Sequence, residues 1–277
     1  MADRPSTSID PAIRAYYDSA PEESRLETGT SRLEGLRTRE LVLRHAPKPP
    51  AIVFDVGGAA GVYAFWLAGL GYDVRLLDAV PRLVELARRR NESAVHRLTS
   101  CAVADARALP EASESADMVL LLGPLYHLVE ERDRRAALAE ANRVLRPGGV
   151  IIVAGISRAA SALDGLARNL LDDAEFAAIV ERDLLDGRHH NPTNHIDYFT
   201  TAYFHRPEDL RREISDAGFD VEGLYGVEGP GWMLPDFDDR WDDPVRRASL
   251  LRVARALESE PSLLGASAHL IVVGRKR

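Results

Sequence analysis

One short stretch, Ile52–Gly61 (I-V-F-D-V-G-G-A-A-G), limits this chain more than any other. An apolar run climbs to Asp55 and breaks into a turn of Gly57, Gly58 and Gly61, and a helix-like segment, Val62–Leu70, follows at once. Strand, glycine turn and helix in that order is how an α/β protein presents free backbone N–H groups and a helix N-terminus to a ligand. Glycine suits such a turn because the backbone can take positive φ there, and because a Cβ would collide with an approaching ligand. The acid just ahead of the turn suits a cation or a pair of ribose hydroxyls better than a phosphate.

From residue 51 onward the chain alternates between strand and helix patterns. Strands read at Ala51–Val56, Asp73–Leu77, Leu98–Val103, Asp117–Leu122 and Gly149–Gly155, with helices at Val62–Leu70, Pro81–Asn91 and Glu131–Leu145. Near-continuous apolar strands such as Met118–Leu122 imply burial on both faces, as in a parallel sheet. Later strands at Phe219–Tyr225 and His269–Val273 bring the total to seven. The expected architecture is therefore α/β, a doubly wound, seven-stranded, mostly parallel sheet.

Two helices precede the sheet. Asp10-Pro11 reads as an N-cap with proline at the first helical position, opening a helix with Ile13, Tyr16, Tyr17 and Ala20 on one side. A second helix over Ser31–His45 turns Leu33, Leu36 and Leu43 inward. After Ser157, Ala159–Asp183 reads as one long or two short helices, Leu184–Phe204 as a loop rich in His, Asn and Tyr, and Gly226–Asp243 as a second irregular stretch. In the helix opened by Asp243-Pro244, Val245, Ala248, Leu251 and Ala254 share one face. We expect one domain with an N-terminal helical lid (1–47), a cofactor-binding core (51–156), a cap insertion (157–204) and the rest of the sheet (205–277), which carries a lid loop near 226–243.

Composition narrows the function. A net charge of −8 argues against a broad phosphate-binding face, because non-specific nucleic-acid affinity comes from Lys and Arg. Lysine occurs only at Lys48 and Lys276, which hints at a GC-rich bacterial genome. The lone cysteine, Cys101, excludes an internal disulfide and any cysteine-based zinc cluster. The first residues, M-A-D-R-P-S-T-S, hold no apolar signal-peptide core, and no run approaches the ~18–20 apolar residues of a membrane span, so a cytoplasmic protein is expected. A homodimer is compatible with this reading.

Three cofactor readings compete for the turn. A P-loop needs Gly-Lys-Ser/Thr, and no such triplet occurs. A dinucleotide turn needs G-x-G-x-x-G, but counting from Gly57 its third position is Ala59 and its sixth Val62. What stands is D-x-G-x-A-x-G. In this form it resembles the class I S-adenosylmethionine-dependent methyltransferases, whose first motif is an acid followed by G-x-G-x-G; Ala59 takes the middle glycine's place. Later landmarks fall in register: Asp78 ending V-R-L-L-D, Asp105 in C-A-V-A-D-A, Asp117-Met118-Val119, and the run R-V-L-R-P-G-G at Arg143–Gly149. The resemblance covers Asp55–Gly149 tightly and the remainder loosely.

The resemblance implies a Rossmann-like methyltransferase fold and a set of cofactor contacts. Asp55 with Gly57, Gly58 and Gly61 would hold the methionine part of S-adenosylmethionine. Asp78 with Ala79 would hold the ribose, and Asp105 with the backbone of Ala106 the adenine, with Leu122 and Tyr126 also against the cofactor. Tyr17 and Arg25 reach its amino-acid end if the first helix closes over the site.

The residues after the fourth strand speak to the acceptor. Relatives that methylate exocyclic amines of bases or protein amides carry Asn/Asp/Ser-Pro-Pro-Tyr/Phe there, whereas this chain has Gly123-Pro124-Leu125-Tyr126-His127. That departure points away from nucleic acid and towards small-molecule methyltransferases of the ubiquinone-biosynthesis-like group. His127, His190 and His195 are expected as bases, since imidazole titrates near neutral pH. His189, Asn191, Asn194 and Asp197 accompany them without fixing a metal-ligand spacing, so no metal is assigned. Tyr198, Phe199, Tyr203 and Trp232 are expected to wall the acceptor pocket. The alternatives left open are a nicotinamide-dependent oxidoreductase and a cofactor-binding protein without methyl transfer.

Overall fold

A computed structural model of the chain describes residues 9–19, 24–193 and 195–277; Ala20 and Asn194 lie outside these. Helices α1 (Pro11–Ser19) and α2 (Ser31–His45) lead into β1 (Ile52–Val56), α3 (Val62–Gly69), β2 (Asp73–Asp78), α4 (Pro81–Ser93) and β3 (Ser100–Val103). Then come β4 (Ala116–Leu121), a single turn α5 (Pro124–His127), α6 (Glu131–Val144) and the long β5 (Leu145–Ser157). The cap segment folds as α7 (Ala160–Arg168), α8 (Ala174–Asp186), β6 (Arg188–His189) and β7 (Ala202–His205). The chain closes with α9 (Pro207–Asp216), β8 (Phe219–Gly226), α10 (Phe237–Asp242), α11 (Pro244–Leu257) and β9 (His269–Lys276).

The main sheet runs β3-β2-β1-β4-β5-β9-β8, parallel through β5 and antiparallel in its last two pairings. These are the seven strands expected, with β6 and β7 added as a small hairpin. Strand β1 lies between β2 and β4 and is buried from Val53 to Val56, as its unbroken apolar run requires. Two apolar layers cover the sheet. One gathers Val53, Leu76, Leu120 and Ile152 with α3 and α4; the other gathers Phe54, Leu77, Val119 and Ile151 with α6 and α9.

The added hairpin decides what sits above the sheet. Ile156 of β5 pairs with His269 of β9 on one edge and with Phe204 of β7 on the other. Strand β7 thus takes up the edge of β5 that β4 leaves free where it ends at Leu121, directly over the turn that carries Tyr126 and His127.

Several elements differ from the sequence expectation. The stretch Leu184–Phe204 is not one loop: α8 continues to Asp186, β6 and β7 follow, and a 3-10 turn fills Ile196–Tyr198. Ala159–Asp183 divides into α7 and α8, because Asn169 takes a left-handed conformation at the end of α7 and Asp173 caps α8 with bonds from Glu175 N and Phe176 N. Strand β3 starts two residues late because Leu98 is tied to Asn91 by reciprocal side-chain bonds of 2.7 and 3.1 Å. Leu43 faces solvent at 47% exposure while Leu41 and Val42 turn inward, and Val245 is exposed where Leu250 and Ala254 are buried. Finally, 226–243 is no loop over the sheet: Phe237 and Trp241 are buried with Leu33 and Leu250, against α2 and α11.

Candidate active site

A cavity of about 670 Å³ opens at the C-terminal ends of β1, β2 and β4, under α1 and the cap hairpin. That volume is in the roughly 300–1,000 Å³ range of small-molecule sites. Strand ends at a switch in strand order are where open α/β sheets bind ligands, and here the order reverses between β1 and β4.

The glycine turn forms one wall. Gly57 has φ +74° and Gly61 φ +89°, and Ala59 accepts φ +48° between them. The turn is pinned from below: Gly57 N donates to Leu77 O at 2.7 Å, and Gly61 N to Gly58 O at 2.8 Å. The close approach that demands glycine comes from the protein itself as much as from a ligand. A Cβ at Gly57 would run into Cγ and Cδ of Pro124, one at Gly58 would lie 2.7 Å from Asp55 Oδ2, and one at Gly61 2.9 Å from the Phe65 ring. Gly57 and Gly58 line the cavity; Gly61 does not, and serves the turn from behind.

Two buried acids sit beneath this turn. Asp78 accepts from Ala59 N at 2.9 Å and from Val80 N at 2.8 Å, so it joins the glycine turn to the start of α4. A carboxylate has about four acceptor positions, so two hydroxyls can still be taken. Asp55 is 1% exposed and its Oδ2 has no hydrogen-bond partner among the described residues. Burial raises both acids above the usual carboxylate range, and for Asp55, with Asp78 beside it, to about 7. At the far side, Asp105 accepts from Arg107 N at 2.8 Å, Nε at 2.9 Å and a terminal guanidinium nitrogen at 2.6 Å. Arg107 also reaches Asp133 at 3.4 Å and lines the cavity, a role its sequence position did not announce.

The other end is built around His127. Its Nδ1 donates to the Thr201 carbonyl at 3.1 Å, since a carbonyl can only accept. That fixes the tautomer, and Nε2 then accepts from the Tyr17 hydroxyl at 2.7 Å. Burial lowers the His127 pKa to about 4, with the Thr201 carbonyl pulling the other way, so the ring is neutral at pH 7. Tyr17 itself is held by α1: Ile13 is buried, Arg82 donates to the Tyr17 carbonyl at 2.5 Å, and Tyr16 meets Phe199 edge-on at 5.4 Å.

Of the residues singled out in the sequence, Tyr17, Arg25, Asp55, Gly57, Gly58, Asp78, Ala79, Asp105, Ala106, Leu122, Tyr126, His127 and His190 line this one cavity. His195 does not: its side chain is 54% exposed and stacks on Tyr198 at 4.4 Å. None of the four aromatic residues expected in the acceptor wall lines it either. Tyr198 is buried with Phe176, Ile179 and Val180, Tyr203 lies under the Arg134 guanidinium at 3.8 Å, and Trp232 donates to Ala266 O at 2.9 Å. Phe199, at φ +64°, forms a second layer behind His127 and His189. The wall there comes instead from Ile9, Ile13, Val129, Arg182, Arg188 and His189. His189 meets oxygen at both nitrogens, Asp183 Oδ2 and Tyr198 O, each at 2.8 Å, and so is a fixed part of the wall.

Residues 54–153 match the family model described as a methyltransferase domain. Residues 54–153 thus form a methyltransferase domain. Over 122 residues it is 34% identical to a ubiquinone/menaquinone biosynthesis C-methyltransferase from Acidiphilium cryptum, covering 43% of this chain and 48% of that one. It is 33% identical to a ubiquinone biosynthesis O-methyltransferase from Methylocella silvestris, covering 42% and 44%. The chain thus spans about half the length of the curated relatives it matches. A solved S-adenosylmethionine-dependent methyltransferase from Thermotoga maritima, a possible histamine N-methyltransferase, shares the fold at 19% identity and a TM-score of 0.58, over 96% of this chain and all of that one.

The cavity's residues fit S-adenosylmethionine. The orphaned oxygen of Asp55 suits the ammonium of its amino-acid end, and Asp78 retains acceptor capacity for hydroxyls. A second cluster, Glu34, Glu228 and His269, is compact enough to hold a cation, but protein groups already neutralise it. Arg25 grips Glu34 at 2.6 and 2.8 Å, and His269 Nδ1 donates to Glu228 at 2.6 Å. Among the described residues, no helix is long and apolar enough to cross a membrane.

Proposed function

We propose that this protein transfers the cofactor's methyl group to a small-molecule acceptor. One observation carries the reading: the glycine turn with Asp55 and Asp78 shares a single cavity with the Tyr17–His127 pair. When bound, the cofactor supplies a methyl group already activated by its sulfonium, so the chain's own task is to align, dehydrate and deprotonate. Alignment at about 3 Å supplies much of such an acceleration through effective molarity.

In this reading Asp55 and the turn hold the amino-acid end, Asp78 with Ala79 the ribose, and Asp105 with Ala106 the adenine side. Helix α1 and the hairpin β6–β7 exclude water. An acceptor hydroxyl or amine presented beside Tyr17 gives its proton to the phenol oxygen while the phenol proton passes to His127 Nε2. His190, whose exposed side chain also lines the cavity, is the second histidine beside the acceptor space. The acceptor is a small molecule because the cavity has a small-molecule volume under the helix and hairpin, because the amine-polarising residue after β4 is replaced by Gly123, and because the net charge is −8. The C- and O-methyltransferase relatives support the same acceptor class.

Calorimetric titration tests the cofactor, with S-adenosylmethionine and S-adenosylhomocysteine expected to bind and NAD expected not to. NAD binding in their place sinks the proposal. An acceptor panel of phenols, catechols and amines then tests transfer, and His127→Asn should remove the acidic limb of the pH–rate profile.

A further inference from the structure

Among the described residues, four arginines line the cavity, and three of them hold carboxylates. Arg25 grips both oxygens of Glu34 at 2.6 and 2.8 Å, Arg107 reaches Asp105 and Asp133, and Arg188 binds both oxygens of Glu130 at 2.8 and 3.2 Å. Arg182 is the exception. Its guanidinium has no hydrogen-bond, ion-pair or ring partner among the described residues. Acids outnumber basic side chains 43 to 35 in this chain, so the lack of a counter-ion is not for want of carboxylates.

The fold places Arg182 there through helix α8. Phe176, Ile179, Val180 and Asp183 form the buried face of that helix, and Arg182 stands at its margin, three residues after Ile179. The acids of the same helix are engaged elsewhere or share no face with it. Asp183 meets His189 at 2.8 Å, Asp186 one turn on accepts from Arg188 N at 2.8 Å, and Glu181 is its immediate neighbour in sequence. On the other walls Glu130 is held by Arg188, and Asp10 caps α1, accepting from Ala12 N at 2.7 Å. Much of the remaining surface at this end is apolar, from Ile13, Leu128 and Val129. The acceptor space therefore combines an apolar wall with one guanidinium that lacks a counter-ion.

We propose that Arg182 receives a carboxylate of the acceptor, so that the methylated class is small acids with an apolar body and a separate hydroxyl or amine. The inference rests on the transfer reading above and states which acceptors the cavity selects. A guanidinium presents a planar fork that matches the two oxygens of a carboxylate. A singly charged group suits the site better than a phosphate dianion, because Glu130 and Asp10 line the same cavity and repel added negative charge. The carboxylate is a handle: no bond to it forms or breaks, and the methylated atom is the hydroxyl oxygen or amine nitrogen beside Tyr17. Arg182 is then a specificity residue for the acceptor. Its side chain is exposed, so replacing it leaves folding intact.

Titration of the full chain, saturated with S-adenosylhomocysteine, tests this. The probes are the para-hydroxyphenyl and para-aminophenyl derivatives of acetate, propanoate and butanoate, each compared with its primary amide, which keeps the size and loses the charge. At least one acid should bind about tenfold more tightly than its amide, as one charge-assisted pair supplies, and should lose that advantage as salt is raised. Arg182→Gln should bring the acid down to its amide, with the amide and S-adenosylhomocysteine affinities and the unfolding midpoint unchanged. Arg182→Lys, a point charge without the fork, should keep part of the preference. The proposal is overturned if no acid binds, if amides bind as tightly as acids throughout the series, or if Arg182→Gln retains the acid preference. Products formed with S-adenosylmethionine are read separately by mass. A methyl ester also overturns the proposal, because the carboxylate is then the group methylated. Acid binding that depends on Arg182, with no methylated product from any acceptor, supports the carboxylate site and defeats the transfer reading. If S-adenosylhomocysteine itself does not bind, the cofactor reading falls, and the same acid and amide titrations on the free chain decide the role of Arg182.

Discussion

Gly57→Ala separates two costs that glycine turns usually confound. At φ +74° an alanine sits in the left-handed region, which disfavours a Cβ by about 1–2 kcal/mol. Its Cβ would also collide with the ring of Pro124, and a proline ring cannot rotate out of the way. Overpacking of that kind costs about 1–3 kcal/mol more, so the full penalty is about 2–5 kcal/mol. Gly148→Ala is the matched control: φ is +76°, yet nothing lies within 4 Å of the new Cβ, so only the conformational part applies. Denaturant unfolding followed by tryptophan fluorescence measures both. The clash has a functional consequence because Pro124 opens the turn that carries Tyr126 and His127 into the cavity. Gly57→Ala should therefore weaken S-adenosylhomocysteine binding about tenfold or more, equal to about 1.4 kcal/mol, while Gly148→Ala leaves the Kd unchanged. Equal destabilisation by the two substitutions, with an unchanged Kd in both, would falsify the account of why the turn requires glycine.

Other consequences can be measured directly. His127 has its pKa lowered from 6.5 to about 4, so the unfolded chain takes up a proton first; stability is full above pH 6.5 and falls by about 3 kcal/mol as the pH drops towards 4, a loss that His127→Asn should largely remove from an acid-unfolding curve. His269 is raised from 6.5 to about 9 by Glu34 and Glu228 against the pull of burial, so its contribution is fully present below pH 6.5 and disappears as the pH rises through 9; His269→Gln should flatten the alkaline side of the stability profile. Arg134 binds both oxygens of Glu213 and the carbonyls of Leu128 and Val129, and Arg134→Met, which leaves the half-buried carboxylate with only His205 beside it, should cost about 1–3 kcal/mol of unfolding free energy. Tyr17→Phe deletes one neutral hydrogen bond of about 1 kcal/mol from the seat of α1, so stopped-flow dissociation of S-adenosylhomocysteine should quicken about fivefold; an unchanged off-rate would mean that α1 does not retain the ligand.

The cavity wall at the strand ends was legible in the sequence because its residues are set by local chain geometry. Asp55, Asp78 and Asp105 each stand at or just beyond the end of a parallel strand, and parallel strands in register bring their ends to one edge of the sheet. The pairing of Tyr17 with His127 was not legible, for a matching reason. Tyr17 and His127 are 110 residues apart, and His127 meets Thr201 across 74 more, so no local pattern encodes the contact. Aromatic content misled for the same cause. Tyr198, Tyr203 and Trp232 are large apolar side chains with polar tips, and the structure uses them as packing, with guanidinium groups above the Tyr203 ring and a hydrogen bond from the Trp232 indole. The pairing of β7 with the last two residues of β5 was beyond reach in the sequence, since a four-residue strand inside a His- and Asn-rich stretch has no periodicity to detect.

That short pairing is also what joins fold to chemistry. Strand β7 occupies the edge of β5 beyond the end of β4, and this sets the Thr201 carbonyl, the residue before β7, over His127. The carbonyl fixes the proton on Nδ1, and Nε2 is left to face α1. The Tyr17 hydroxyl then meets the imidazole lone pair, and both side chains line the cavity. The basicity available at that point is decided by three segments that are separate in the chain: the turn after β4, the strand that caps it and the helix that closes it. A hydrogen-bonded relay of this kind tolerates a histidine of low pKa, because the positive charge it gains appears as the sulfonium charge nearby is lost. Replacing the cap hairpin would thus change the proton acceptor along with the acceptor pocket, while the glycine turn and its two acids would keep their geometry.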